Sequence, residues 1–254
     1  MEHDINTFSK LGEGINFYLN ESFHYINEAL IYEFASYLFS EELKKIDPSD
    51  KDKEIIESIN LPESPVELLQ VDLPEVMTEE TLRAISDGWN KAQTLARVEN
   101  YDFTLDHAIQ SIEMLGHLNN FGFFIETVIN RHLLYLKQTR LIDDFSYSRF
   151  SIAKVMERII FIFKDDISTH NIHLNEIARL FSLRNKTVHY TPDNAMALKP
   201  RISEMIQIWN QTKKLLERLE GIEKFKEDKF SRLLNNQING FMEKWTSKPT
   251  ANKS

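Results

Sequence analysis

The 254-residue chain contains no cysteine. That excludes a disulfide framework, thiolate zinc sites and a cysteine nucleophile. Glycine and proline occur only seven times each, too sparsely for an all-β or glycine-looped nucleotide fold. No Walker A loop, dinucleotide-binding glycine set or Gly-x-Ser-x-Gly elbow is present. Long apolar runs are also missing. The most apolar stretch, Met114 to Ile125, is short and interrupted by His117, Asn119 and Asn120, so it is not expected to span a bilayer. The first twenty residues carry three acids and no apolar h-region, so a signal peptide is not expected and a cytoplasmic location is.

What is present suits a folded domain. The chain is 42% hydrophobic and 27% charged, enough apolar material for a proper core. The net charge of -9 disfavours indiscriminate coating of nucleic acid by the whole molecule. The charge is unevenly distributed, however. Residues 1–100 hold 8 Lys+Arg against 21 Asp+Glu, a net of -13; residues 177–254 hold 15 against 8, a net of +7. Only the C-terminal part would attract phosphate. The organisation expected from this is an acidic helical region of unknown role over 1–100 and a helical bundle with a C-terminal helix over 101–254.

The pattern is helical nearly throughout, and the expected fold class is all-α. Ile15 to Lys45 reads as one or two aromatic-rich helices ended by Asp47-Pro48-Ser49-Asp50. Thr78 reads as the N-cap of a helix from Glu79 to Val98. Leu105 to Leu118 reads as one helix, with Gly122 near the start of the next, whose apolar residues run from Phe121 to Leu136 at helical spacing. Ile152, Val155, Ile159, Ile160 and Phe163 mark another helix, and Asn175 to Tyr190 a further one, closed by Thr191-Pro192. Ile202 to Leu219 and Lys224 to Trp245 complete the set.

One helix breaks its own pattern. On a wheel at about 100° per residue with Ile177 at zero, Leu180 falls at about 300°, Phe181 at about 40° and Val188 at about 20°. Arg184 lands at about 340°, inside this apolar stripe, while Asn185 and His189, one turn apart, lie on its edge. An arginine there either pairs with a buried carboxylate or lines a cleft or interface where an anion binds. The plainer reading is an ion-paired helix packer. His189 falls where the helix dipole favours its protonated form, which suits acid–base work.

Arg184-Asn185-Lys186-Thr187-Val188-His189 spells RNxxxH and resembles the motif of the HEPN (higher eukaryotes and prokaryotes nucleotide-binding) superfamily. The flanking Leu183 and Tyr190, and the order of helices around the motif, are similar to that superfamily over about residues 104–220. The resemblance implies a metal-independent endoribonuclease with no cofactor, of the kind found in toxin–antitoxin and phage-defence systems. It also implies a homodimer through the motif helix, with RNA as substrate and an antitoxin or regulatory protein as a further partner. Arg184 and His189 would be the catalytic pair, with Asn185 orienting its neighbours. Lys186 and Tyr190 are candidate RNA contacts. Glu126 and Asn130, polar residues one turn apart on the helix expected to face the motif, are further candidate RNA contacts, with a solvent-facing i, i+4 pair as the alternative.

Other constellations carry less. Glu21-x-x-His24 is half of a di-iron bundle motif, and the chain has no second copy. His170 and His173 could hold a metal with Asp165 or Asp166, but a solvated loop is the better reading. His107, His117 and His132 show no ligand spacing. Two rivals to the nuclease reading remain: a catalytically silent nucleotide- or RNA-binding module, and an interaction protein whose acidic region meets a basic partner.

Overall fold

The computed structural model describes residues 2–46, 52–57, 64–65, 77–163, 172–188, 198–223 and 229–246. The fold is all-α. In chain order the helices are α1 (Glu2–Leu43), α2 (Lys53–Glu57), α3 (Glu79–Val98), α4 (Glu113–Gln138), α5 (Asp144–Ser151), α6 (Val155–Phe163), α7 (Leu174–Val188), α8 (Ile202–Glu223) and α9 (Phe230–Trp245). Among the described residues the only β-type pairing is one isolated bridge, Ala108 to Arg201. None of the described helices is long and apolar enough to cross a membrane.

The two longest helices, α1 and α4, pack along each other and organise the rest. α3 lies on α1, α7 lies on α4 and α8, and α9 packs on α8 and α1. Phe23 of α1 meets Phe121 of α4 and Trp209 of α8, and Trp209 meets Phe241 of α9. One hydrophobic core runs from Ile15 to Trp245. The charge boundary near residue 100 is therefore not a boundary in the core. Of the aromatics in the first helix, Phe23, Phe34 and Phe39 are buried, whereas Phe17 and Tyr32 are exposed.

Thr78 caps α3: its hydroxyl accepts from the Thr81 N–H and donates to the buried Asp52 carboxylate. The helix expected over Leu105–Leu118 does not form as such. Residues 101–112 run irregularly, their polar backbone groups taken up by the ends of other helices. The N–H groups of Tyr101 and Phe103 donate to Lys244 and Trp245, and the carbonyls of His107 and Leu105 accept from Ile202 and Ser203. These bonds satisfy backbone that a helix would otherwise satisfy internally.

Helix α4 runs unbroken through Gly122, so that residue does not start a second helix. It is a close-packing glycine instead. Ile152 belongs to the end of α5 and is exposed, not part of the α6 face. α5 itself has no buried residue and carries an Asp143 N-cap, whose carboxylate accepts from Ser146.

Three histidines form buried links between these elements. His117 of α4 lies against Ser22 of α1, its Nδ1 2.8 Å from the hydroxyl and 2.9 Å from the carbonyl oxygen, and its Nε2 accepts from the Trp209 indole N–H. Burial pushes this imidazole down to about 4. His107 pairs with Glu33, whose other oxygen accepts from the Gln110 and Ser111 N–H groups. His132 and Arg131 both meet Glu223 at the end of α8.

Candidate functional site

The site is built where α7 crosses α4 and the start of α6 approaches both. Arg184 is on α7, half-buried, as an interruption of an otherwise apolar face: Ile177, Leu180 and Leu183 around it are fully buried. Its aliphatic stem crosses α4 at Gly122. A Cβ at that position would lie 2.7 Å from Arg184 Cδ, closer than atoms pack, so the absent side chain is what admits the arginine. Beyond the glycine, the guanidinium carbon stands 4.5 Å from the Phe123 ring centroid, within cation–π range.

The charged end of Arg184 meets Glu126, one turn further along α4, with Nη1 3.7 Å from Oε2. Glu126 also faces Arg158 of α6, whose Nη2 is 3.6 Å from Oε1. One carboxylate thus stands between two guanidiniums. Arg158 is buried; its Nε donates to the Ala153 carbonyl at 2.7 Å and its Nη1 donates to the Asn130 side-chain oxygen. Glu126 and Asn130, an i, i+4 pair, therefore turn toward α6 and α7 rather than to open solvent.

A cleft of about 430 Å³ opens over this cluster, lined by Glu126, Lys154, Val155, Arg158, Phe181, Arg184 and Asn185 among others. Asn185 is exposed and Lys186 half-buried. Thr187, inside the motif, hydrogen-bonds to Asn119 of α4 and to the Arg184 carbonyl, pinning the last turn of α7. His189 and Tyr190 lie outside the described residues, immediately after the end of α7 at Val188. His170, Asp165 and Asp166 also lie outside them.

Arg158 and Lys154 were not among the residues expected at the site. The signal for Arg158 was available: it falls between Val155 and Ile159 in an apolar run, the same kind of misplaced charge that drew attention to Arg184. No helix contact is readable from a single sequence, so its convergence with Arg184 on Glu126 was not. No known protein family, curated protein or solved structure matches the chain.

Proposed function

We propose that the protein is a metal-independent endoribonuclease of the HEPN type, acting in toxin–antitoxin or phage defence. The observation that carries this reading is Arg184. It is a half-buried cation on an apolar helix face at the mouth of a cleft, five residues before His189 in RNxxxH order.

The chemistry needs few groups. The ribose 2′-oxygen forms a bond to the adjacent phosphorus as the bond from phosphorus to the 5′-oxygen breaks, leaving a 2′,3′-cyclic phosphate and a 5′-hydroxyl. The 2′-hydroxyl proton leaves to a base and the departing 5′-oxygen receives one. Imidazole works at neutral pH in either direction, and His189 fills that role. Guanidinium complements the charge that builds on the non-bridging oxygens, the role of Arg184. Asn185 orients these neighbours, and Lys186 and Tyr190 meet the backbone and bases. A homodimer through α7 brings two copies of Arg184 and His189 to one groove.

Overexpression tests the reading in cells. Wild type is expected to arrest growth, and His189→Ala to relieve the arrest at equal protein level. The Glu126–Arg184 pair favours a second reading, in which Arg184 only ties α7 to α4 in a binding or interaction protein. In that case Arg184→Met would alter melting temperature or assembly, and RNA would remain intact with both proteins.

A further inference from the structure

The RNxxxH motif contributes one arginine to the cleft. We infer that Arg158 and Lys154 complete an anion site for an RNA phosphodiester beside Arg184, and that Glu126 is a built-in competitor which that phosphate displaces. The inference rests on the reading of this cleft as an RNA site.

Glu126 is loosely held. Its two ion-pair distances are 3.6 and 3.7 Å, longer than a closed charge-assisted hydrogen bond at about 2.8 Å. Elsewhere in the molecule a guanidinium and a carboxylate do close: Arg97 grips Glu28 in a two-pronged contact at 2.6 and 2.8 Å. Glu126 instead stands midway between two arginines without closing on either. A tetrahedral oxyanion has the oxygens to bridge both.

Arg158 is held from behind for such a role. The Ala153 carbonyl and Asn130 oxygen engage Nε and Nη1, and Nη2 is the nitrogen that faces Glu126. The guanidinium is thus oriented before any ligand arrives, which lowers the entropic cost of binding. The start of α6 also borders the cleft. Its first backbone bond runs from the Arg158 N–H to the Lys154 carbonyl, so the N–H groups of Val155 and Met156 precede the intrahelical ladder at the cleft wall. Lys154, exposed at the rim, brings a third cation. Lys154, Arg158 and Arg184 line the cleft against one lining carboxylate, Glu126, a surplus of positive charge, while the Glu157 carboxylate accepts from the Lys154 N–H at the helix start.

The test measures binding apart from cleavage. A fluorescein-labelled, fully 2′-O-methylated ten-nucleotide RNA cannot be cut by 2′-oxygen attack; its binding is followed by anisotropy in EDTA, with inorganic phosphate as competitor. Removing the Glu126 charge with Glu126→Gln should tighten RNA binding about fivefold, and Lys154→Gln should weaken it about threefold, as expected for single partly exposed charges. Arg158→Lys should weaken it as well, while circular dichroism reports that each variant is folded. Equal or weaker binding by Glu126→Gln overturns the inference, as does the absence of binding by both proteins. Tightening toward inorganic phosphate without tightening toward RNA overturns the RNA assignment. Tighter RNA binding by Glu126→Gln alongside a wild type that never cleaves natural RNA would support this site and sink the nuclease reading.

Discussion

At the scale of single residues, Gly122 and His117 show how backbone space and burial set chemistry at a distance. The Arg184 stem occupies the place of the missing Gly122 side chain. A Gly122→Ala chain should fold, because the arginine is flexible enough to move and alanine favours the helix by about 1 kcal/mol. The proposed RNA binding should nevertheless fall, because the guanidinium leaves its seat over Phe123. A melting curve and an anisotropy titration on the same sample check both halves. Arg184 was legible in the sequence as a charge inside an apolar stripe. Gly122 reads in the sequence as lying near a helix start, because glycine in a helical pattern signals a boundary as readily as a close approach.

His117 supplies a pH dependence whose direction follows from its burial. The unfolded imidazole takes its proton near 6.5 and the folded one near 4, so between these values the unfolded chain binds more protons. The stability linked to this group is complete above about pH 6.5 and drains away as pH falls toward 4, by about 3 kcal/mol. Denaturant midpoints at pH 7 and pH 4.5 should therefore differ less in His117→Gln than in wild type. Parallel pH profiles in the two proteins would contradict this assignment.

At the scale of elements, α1 decides what the N-terminal region is for. Ile15, Leu19, Phe23, Ile26 and Leu30 are buried in the main core, and His117 of α4 bonds to Ser22 of α1. A chain starting at residue 101 would expose the partner face of α4. It should lack a cooperative thermal transition by circular dichroism, and a sharp transition near that of the full chain would contradict the packing described. The boundaries of α3 were legible because Thr78 and the acids after it are local signals. α5 was not legible: with no buried residue it carries no apolar stripe to read. Residues 105–112, read from the sequence as the first part of a Leu105–Leu118 helix, are irregular because their backbone partners lie about 95 residues away at the start of α8, which no local pattern encodes.

At the scale of the whole molecule, the charge asymmetry marks off the first hundred residues, whereas the main core takes residues from both sides of that boundary and a smaller cluster of Phe39, Leu43, Ile85 and Ala92 lies within them. The acids of the first hundred residues are partly committed to local cations, with Glu28 on Arg97 and Glu42 on Lys45 and Lys91. What the composition did convey was the all-α class, since few glycines and prolines and a steady helical spacing leave little else. The cleft was legible only from one side: the sequence pointed to α7, and folding brought α4 and α6 to it. Its proposed chemistry meets its most direct test in one experiment. Mixed tRNA and single-stranded RNA are incubated in excess EDTA with wild type or His189→Ala, and the product ends are analysed. The account predicts 2′,3′-cyclic phosphate ends from wild type alone. Equal cleavage by both proteins, or none by a folded wild type, would contradict it.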